Sequence, residues 1–376
     1  MQVLITGGAG FVGRPLALAL LAEGHQVRVL DSLSEQVHGP AARVPAELES
    51  AEFIQGDIRD STDLLDALSG VDAVAHLAAE TGVGQSMYDI ERYVDVNDRG
   101  TACLLQAAAA RGRPLRIVLA SSRAVYGEGL YHCRTCGDAA PSMRDLAALD
   151  RADWNPCCPH CGTEISPLAT HEGLPCQPGS VYAATKLAQE HLCRIVGAAY
   201  GFPVVILRYF NVYGPGQTLS NPYTGILSTF FTRAKSGKTI EVFEDGLETR
   251  DFIYIDDVVE ATRRALLSPA DGSMTHTLNV GTGVPTTLYG LADAIVRIGG
   301  LNALICVTGG FRAGDVRHAF ADTRRAQAVL GFAAETRLAD GLAKWIRWAQ
   351  GCDYQDLTDA AASNLTARGL YRNPRA

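Results

Sequence analysis

The chain has 376 residues, of which 47% are hydrophobic and 20% charged, as is usual for a globular protein with a substantial core. Its formal net charge of −8 at pH 7 indicates no general affinity for nucleic acid or for an anionic membrane. No apolar run approaches the roughly 20 residues that span a bilayer, and residues 1–6 predict a buried strand rather than a signal segment. We therefore expect a cytoplasmic protein with reduced thiols.

Short apolar runs alternate with amphipathic segments in the first half of the chain. The predicted strands are 3–5, 26–30, 71–76 and 116–120, and the predicted helices between them are 15–23, 61–68 and 100–111. This alternation predicts an α/β fold of the Rossmann type, with a doubly wound parallel sheet that helices cover on both faces. Further along, the pattern predicts a helix at 182–200, a strand at 204–208 and a helix at 224–236.

The regular alternation ends after Gly127. Residues 128–179 are rich in Cys, Pro, Gly and His and show little periodicity, so we interpret them as an insertion. We expect residues 1–210 to form the Rossmann domain that this insertion interrupts, and residues 251–283 to return to that domain. Residues 211–250 and 284–376 are expected to form a smaller C-terminal lobe that binds the substrate.

A glycine-rich turn, Thr6-Gly-Gly-Ala-Gly-Phe-Val-Gly13, follows the first predicted strand. Gly7 or Gly8, together with Gly10 and Gly13, has the spacing that permits a tight turn, a close approach to a pyrophosphate and close helix packing. The next strand ends at Asp31, whose carboxylate can accept both ribose hydroxyls of NAD and would repel the 2′-phosphate of NADP. The pattern favours NAD, although a glycine-rich turn without a ligand is the alternative.

Tyr182 and Lys186 lie one helical turn apart at the start of a predicted helix. An ammonium beside a phenol lowers the pKa of the phenol, which can then take a proton from a sugar hydroxyl. This spacing is also common on plain helix surfaces. What favours catalysis is Ser122 at the carboxyl end of a predicted strand, because catalytic groups gather at that edge of open α/β sheets.

Eight ordered segments make the chain similar to the extended short-chain dehydrogenases/reductases, in the branch of nucleotide-sugar epimerases and dehydratases. They are Thr6 to Gly13, Gly56-Asp57, His76 to Ala79, Asn97, Ser121 to Gly127, Tyr182 to Lys186, Arg208 to Pro215 and Arg250 to Asp257.

The resemblance implies a role for particular residues at three kinds of site. The catalytic residues would be Ser122, the base Tyr182 and Lys186. The cofactor residues would be Gly7, Gly10, Phe11, Val12, Gly13, Asp31, Asp57, Ile58, Leu77, Ala78, Ala79 and Asn97, together with Tyr182 and Lys186. The substrate residues would be Glu80, Thr81, Arg123, Asn211, Asn221, Arg250 and Arg312.

The residues after Ser122 distinguish the branches of this family. Dehydratases carry an Asp-Glu pair there to eliminate water, whereas this chain has Arg123 and Ala124. The resemblance therefore implies an NAD-dependent 4-epimerase, in which hydride leaves C4, the keto sugar turns and hydride returns to the other face. Three further segments, His76 to Met87, Ser121 to Glu128 and Ser220 to Ile226, resemble enzymes that interconvert dTDP-L-rhamnose and dTDP-6-deoxy-L-talose. A 4-keto-sugar nucleotide reductase using NAD(P) and a UDP-sugar 4-epimerase are the alternatives.

Two C-x-x-C pairs, formed by Cys133, Cys136, Cys158 and Cys161, lie within the predicted insertion. Four thiolates at this spacing form a closed tetrahedral zinc site, so we expect a structural zinc in a ribbon-like segment. His132, Cys157, His160 and Cys176 are possible substitutes in the ligand set.

A zinc ribbon can also bind nucleic acid or protein, and a non-catalytic binding protein is therefore a further hypothesis. Acidic residues balance the arginines around the cysteines, and Ser122, Tyr182 and Lys186 are all present. We expect a nucleotide-sugar substrate, no nucleic acid or membrane partner, and the homodimer implied by the family.

Overall fold

Strands and helices alternate from the first residues of the chain. The structure, a computed structural model, describes residues 1–39, 42–221, 223, 225–268 and 275–374. Up to residue 122 the strands are β1 (Gln2–Thr6), β2 (Gln26–Asp31), β3 (Glu52–Gln55), β4 (Ala73–His76) and β5 (Arg116–Ser122). The helices are α1 (Gly13–Ala22), α2 (Glu35–His38), α3 (Ser61–Leu68), α4 (Val83–Ser86), α5 (Ile90–Tyr93) and α6 (Gly100–Ala110), with a 3-10 turn at Ala46–Leu48 and a π-helical turn at Val94–Arg99.

The middle of the chain contains short elements and one long helix. After a 3-10 turn at Arg123–Tyr126, the elements are β6 (Tyr131–Cys133), β7 (Gly137–Ala139), α7 (Leu146–Leu149) and β8 (Ser166–Pro167). They precede α8 (Val181–Tyr200), β9 (Val204–Tyr209) and β10 (Asn211–Tyr213). Strands β7, β6 and β8 form a small antiparallel sheet within the predicted insertion.

The remaining elements complete the fold. The strands are β11 (Ile240–Val242), β12 (Thr249–Tyr254), β13 (Thr275–Val280), β14 (Pro285–Thr287), β15 (Ile305–Val307), β16 (Phe311–Arg312), β17 (His318–Ala319) and β18 (Tyr371–Arg372). The helices are α9 (Ile226–Lys235), α10 (Ile255–Leu267), α11 (Leu288–Gly299), α12 (Arg324–Leu330), α13 (Leu338–Gln350) and α14 (Thr358–Ala367). None of the helices in these described ranges is both long and apolar enough to cross a membrane.

Seven parallel strands form the central sheet in the order β13–β9–β5–β4–β1–β2–β3. Its inner strands are buried on both faces, because successive side chains pack into two separate apolar clusters. Val3 and Ile5 of β1 belong to one cluster, and Leu4 between them belongs to the other. The predicted α/β fold with a parallel sheet is therefore confirmed.

Four strands that follow β9 in the sequence form a second, smaller sheet. Strand β12 pairs with β10, β14 and β17, and helices α11 and α13 pack together beside it. The segment 251–283 was expected to return to the Rossmann domain. The structure places its first strand, β12, in the smaller sheet, and β13 in the central sheet beside β9.

Candidate active site

The glycine-rich turn joins β1 to α1 with a tightly packed backbone. Gly7 has a φ of +69°, and a Cβ there would lie 2.8 Å from the amide nitrogen of Ala78. A Cβ on Gly13 would lie 2.6 Å from the Cα of Gly8, whereas one on Gly10 would meet only the Gly7 carbonyl oxygen, at 3.2 Å. The turn therefore depends on Gly7 and Gly13 for its shape, and Gly10 leaves the backbone open on its other side.

Asp31 ends strand β2 beside this turn. Its carboxylate accepts hydrogen bonds from the backbone N–H of Ala9 and of Leu33, both at 2.9 Å. The Nε2 atom of His38 lies 3.5 Å from the same carboxylate. These contacts fix the orientation of the carboxylate. The bond to Ala9 places this acidic group at the edge of the glycine turn, as the sequence predicts.

The end of β4 closes the opposite side of the turn. The backbone N–H of Leu77 donates to the carbonyl of Thr6 at 3.1 Å, and that of Ala78 donates to the hydroxyl of Thr6 at 3.3 Å. Leu77 and Ala78 thus border the turn. Phe11 and Val12 lie in the turn itself and pack partly against the main apolar cluster.

Asp57 and Ile58 lie just beyond strand β3. A hydrogen bond from Arg59 holds the pKa of Asp57 below its usual range, and the two side chains form an ion pair. Ile58 is buried, and a Cβ on Gly100 would lie 2.7 Å from its Cγ1. In this structure the Asp57 carboxylate already has a cationic partner.

Ser122, Tyr182 and Lys186 meet at the carboxyl end of β5. Helix α8 begins after Ser180, whose hydroxyl accepts from the backbone N–H of Ala183 at 3.2 Å and so caps the helix. This cap places the phenol of Tyr182 close to the hydroxyl of Ser122, which acts on the pKa of the phenol. The predicted serine, tyrosine and lysine are therefore neighbours in space.

The electrostatics of these residues differ from the expectation in one respect. Burial raises the pKa of the Tyr182 hydroxyl, while the hydrogen bond with Ser122 and the charge of Arg123 oppose that rise. Lys186 instead donates from Nζ to the backbone carbonyl of Ala120 at 2.9 Å, and burial lowers its pKa to about 8. The cation that acts on the phenol here is therefore Arg123, where the sequence pointed to Lys186.

Asn97 connects helix α8 to the segment Glu80-Thr81. The buried Asn97 amide donates to the hydroxyl of Thr185 at 3.0 Å and to the carbonyl of Glu80 at 3.1 Å, and it accepts from the Glu80 N–H at 2.8 Å. Thr81 accepts through its carbonyl from the hydroxyl of Tyr93 at 2.6 Å. The ring of Tyr93 packs edge-on to that of Tyr182, which places this segment close to the phenol.

The predicted substrate residues occupy different environments. The buried amide oxygen of Asn211 and the Nε of Arg312 find no hydrogen-bond partner among the described residues. Arg250 is buried and donates to the backbone carbonyls of Thr249, Val316 and Arg317 at 2.8, 2.7 and 3.2 Å. Asn221 accepts from the N–H of Tyr223 at 3.1 Å. Asn211 and Arg312 thus offer polar atoms without a hydrogen bond, although the Nε of Arg312 lies 3.9 Å from the carboxylate of Asp315. Most of the Arg250 donors are already used.

Sequence reasoning missed Asp315, which lies among the arginines of this site. Burial raises the pKa of its carboxyl, but the charges of Arg312, Arg250 and Arg123 outweigh burial and hold that pKa below its usual range. Asp315 thereby links three arginines from separate parts of the chain. The glycine-rich loop in which it lies was the available signal, and it drew attention only to the arginines.

Comparison with known proteins bears on this arrangement. Residues 3–142 and 159–281 match the protein family described as "NAD dependent epimerase/dehydratase family". A dTDP-L-rhamnose 4-epimerase of Burkholderia thailandensis is 38% identical over 350 residues, which are 92% of this chain and 94% of that protein. The chain belongs to the NAD-dependent epimerase/dehydratase family.

Other relatives match over nearly the whole chain. A UDP-glucose 4-epimerase of Mycolicibacterium smegmatis is 32% identical over 93% of this chain and 98% of that protein. The solved UDP-glucuronic acid 4-epimerase of Bacillus cereus, in complex with UDP-glucuronic acid and NAD, is 28% identical with a TM-score of 0.75. That match covers 93% of this chain and 99% of the other.

Four cysteine thiols of this epimerase/dehydratase family member converge beside the small antiparallel sheet. Their sulfur atoms all lie within 4.8 Å of one another; the residues are Cys133, Cys136, Cys158 and Cys161. Two are buried and two are exposed. The hairpin of β6 and β7 carries the first pair, and the hydroxyl of Thr163 lies 3.1 Å from the sulfur of Cys161.

The segment that carries these cysteines is attached to the arginine-rich loop. Arg144 donates to the carboxylate of Glu128 at 3.0 Å, to that of Glu244 at 2.9 Å and to the carbonyl of Asp315 at 2.9 Å. Arg317 donates to the same Glu244 at 3.0 Å. These buried ion pairs join three separate parts of the chain, and the sequence patterns did not predict them.

Proposed function

We propose that this chain is an NAD-dependent 4-epimerase of nucleotide sugars, with dTDP-L-rhamnose and dTDP-6-deoxy-L-talose as its substrate pair. The observation that carries the reaction type is the meeting of Ser122, Tyr182 and Lys186 at the carboxyl end of β5. The choice of sugar is supported by the relative of 38% identity named above, which spans nearly the whole chain.

The glycine turn and the ends of β2 and β4 have the residues that suit NAD. A Cβ at Gly7 or Gly13 would collide with backbone, and Gly10 leaves room for a close approach by a pyrophosphate. The carboxylate of Asp31 is held in place at the position suited to ribose hydroxyls. We assign to this cofactor Gly7, Gly10, Phe11, Val12, Gly13, Asp31, Asp57, Ile58, Leu77, Ala78, Ala79, Asn97, Tyr182 and Lys186. When bound, NAD supplies a nicotinamide ring that accepts a hydride from C4 and returns it.

Tyr182 would remove and return the proton of the C4 hydroxyl. Its phenol must lose a proton to act as a base, and the positive charge of Arg123 and the hydrogen bond with Ser122 favour that form. Ser122 would also hold the substrate oxygen. The ammonium of Lys186 has three donors, of which one contacts Ala120, so others are available to the phenol and to a ribose.

Arg123 makes dehydration unsuitable as the reaction. Elimination of water requires an acid that protonates the leaving hydroxyl, and a guanidinium does not give up its proton in proteins. Burial lowers the pKa of Arg123 to about 10, which leaves it charged at neutral pH. We assign it to the substrate instead, where its charge suits the diphosphate or an electron-rich sugar oxygen.

The remaining substrate residues would hold the two ends of the nucleotide sugar. The Nε of Arg312 makes no hydrogen bond to the described residues, and Arg312 suits the diphosphate because a guanidinium binds phosphate oxygens in pairs. The unpaired amide oxygen of Asn211 suits a hydroxyl donor of the substrate. Glu80, Thr81 and Asn221 would border the sugar, and Arg250 would shape the site through the carbonyls it holds.

The proposal is tested with a panel of dTDP-, UDP- and GDP-sugars, followed by NMR of the products at C4. We expect conversion of dTDP-L-rhamnose without a net absorbance change at the nicotinamide wavelength, because epimerisation has no net redox change. Net consumption of reduced cofactor would identify a keto-sugar reductase, and conversion confined to UDP-sugars would identify a UDP-sugar 4-epimerase. A chain that turns over none of these compounds would refute the proposal.

We further propose that Cys133, Cys136, Cys158 and Cys161 bind one structural zinc ion in a ribbon-like insertion, residues 128–179. Four thiolates satisfy a tetrahedral zinc completely and leave no position for substrate. The mutual distances of the sulfurs, within 4.8 Å, fit that arrangement. When bound, zinc supplies cross-links to a segment that has few apolar residues of its own.

We propose a homodimer formed through helices α6 and α8. On α8, Ile195 is 66% and Tyr200 56% exposed, although both are large and apolar. A shallow groove beside them is lined largely by small and apolar residues, namely Ala102, Leu105, Gln106, Ala109, Ala110, Leu192, Val196 and Tyr200. A second copy packed helix against helix would cover this surface.

We also propose that the chain is divided into a Rossmann domain and a substrate lobe, as the sequence predicts.

A further inference from the structure

Strand β18 pairs with the strand that carries Arg312. The pairing is antiparallel, with Tyr371 opposite Arg312 and Arg372 opposite Phe311. The backbone N–H of Ala313 donates to the carbonyl of Leu370 at 2.9 Å and extends the pairing. Among the strands of the described residues, β16 pairs with β18 alone. The carbonyl of Arg312 also accepts from the backbone N–H of Asp315 at 3.3 Å, so β18 and this turn together hold the backbone of Arg312.

Side chains reinforce that pairing. The guanidinium of Arg312 lies over the ring of Phe243, 4.8 Å from its centre. The ring of Tyr371 packs against the same ring, with 5.2 Å between the two centres. Tyr371 therefore fixes the aromatic surface on which Arg312 rests, and cation–π contacts of this kind are directional.

The other end of the same segment contacts the edge of the predicted sugar site. A Cβ added to Gly84 would lie 3.6 Å from the side chain of Leu365 on α14. Arg368 lies over the ring of Tyr88, 4.5 Å from its centre, and the hydroxyl of Tyr88 donates to that of Tyr223 at 2.7 Å. The segment thus runs from the region after β4 to the strand of Arg312.

We propose that the segment Thr358–Arg372 positions Arg312 for the diphosphate of the substrate, with Tyr371 as the positioning residue. The inference rests on the proposed function, because it requires that Arg312 contact the nucleotide sugar. The physical reason is preorganisation: a long arginine side chain loses affinity if it must be ordered at the moment of binding. A ring and a paired strand that order it beforehand remove that cost.

The test is Tyr371→Ala, measured by steady-state kinetics with dTDP-L-rhamnose and by binding of dTDP in calorimetry. We expect KM and the dissociation constant of dTDP to rise about tenfold while kcat changes less than about twofold, because uniform binding is lost. Tyr371→Phe is the matched control and should keep both values, since it retains the ring and the strand pairing. Hydrogen exchange at the Ala313 amide should become faster in Tyr371→Ala and stay unchanged in Tyr371→Phe.

A double-variant cycle separates positioning from general damage. If Tyr371 acts through Arg312, Tyr371→Ala adds no further loss of dTDP affinity in an Arg312→Ala background. Full additivity, or unchanged dTDP binding in Tyr371→Ala, would overturn the inference. A wild-type chain that binds dTDP without epimerising any sugar would refute the proposed function while leaving this inference standing, and one that binds neither dTDP nor UDP would refute both.

Discussion

Glu248 is a buried acidic residue whose carboxylate is only partly satisfied. Its side chain is almost wholly buried, and its Oε2 finds no hydrogen-bond partner in the described ranges. Burial and the nearby charge of Glu244 raise the pKa of Glu248 to about 7. The group therefore titrates near neutral pH, and its ionised form weakens the fold.

We predict that Glu248→Gln stabilises the protein at high pH. A carboxyl whose folded pKa is raised contributes stability that is present below its unfolded pKa of 4.5 and is lost as pH rises through about 7. The neutral amide avoids that loss, so the gain in Tm over wild type should be larger at pH 8 than at pH 5. Thermal unfolding at both values measures it, with the exposed Glu335→Gln as the control. An equal gain at both pH values would contradict the prediction.

Sequence patterns predicted the residues that meet at the site better than the contacts between them. The order of motifs was enough to bring Ser122 to Tyr182, because parallel strands end at one edge of the sheet. It could not show that Lys186 is directed at a backbone carbonyl while Arg123 acts on the phenol. It also missed Asp315, since a lone acid in a loop has no pattern until the fold surrounds it with arginines.

Among the elements, the small sheet of β6, β7 and β8 is the most dependent on its cysteines. Its strands have two or three residues each, which is too few to be stable by pairing alone. Its apolar cluster consists of Tyr131, Cys133, Cys158 and Ile165, so two of its four members are the thiol residues themselves. A metal bound by the four thiolates would supply the missing cohesion.

Replacement of one cysteine of the cluster tests this dependence. We predict that wild-type protein binds about one zinc per chain, and that Cys161→Ser lowers both the zinc content and the Tm. Cys157→Ser is the matched control, because Cys157 is also exposed but lies outside the four-sulfur cluster. Elemental analysis and thermal unfolding provide the readouts. Equal zinc content in the two variants would rule out the proposed ligand set.

Long apolar elements were predictable from sequence, whereas short polar ones were not. The helix predicted at 182–200 is α8, and the strand predicted at 26–30 is β2. Strand β3 was not predicted, because Glu52 and Gln55 give it polar ends and it lies at the sheet edge, where half-burial suffices. Strand β12 reads like a core strand, yet its partners β10, β14 and β17 are all too short to be detected from sequence.

At the scale of the whole molecule, buried ion pairs join the insertion to the substrate side of the fold. Arg144 of the insertion and Arg317 share the carboxylate of Glu244. Both guanidiniums are almost fully buried. Each also has a second carboxylate partner, Glu128 at 3.0 Å from Arg144 and Asp245 at 2.7 Å from Arg317, so a network of charges holds this contact. These contacts join the cysteine-rich segment to the loop that carries Arg312. We therefore expect a substitution that unfolds one of them to destabilise the other.

Exposed apolar side chains on helix α8 lead us to predict a dimer. We expect wild-type protein to be a dimer in solution, and Ile195→Asp to shift it to a monomer, because the change buries a carboxylate in the proposed apolar contact. Size-exclusion chromatography with light scattering measures the mass. Leu304→Asp, which alters another exposed aliphatic residue away from this helix, should leave the dimer intact. A wild-type monomer, or a dimer that survives Ile195→Asp, would contradict the proposed interface.

The central claim is that the hydroxyl of Tyr182 exchanges a proton with the C4 hydroxyl of a nucleotide sugar. Its most direct test is the rate of C4 epimerisation of dTDP-L-rhamnose, followed by NMR, for Tyr182→Phe against wild type and against Tyr289→Phe on the exposed surface. We predict a fall in kcat of about 10²- to 10⁴-fold for Tyr182→Phe, with unchanged NAD content and Tm, and no fall for Tyr289→Phe. A Tyr182→Phe variant that epimerises the sugar at the wild-type rate would contradict the account.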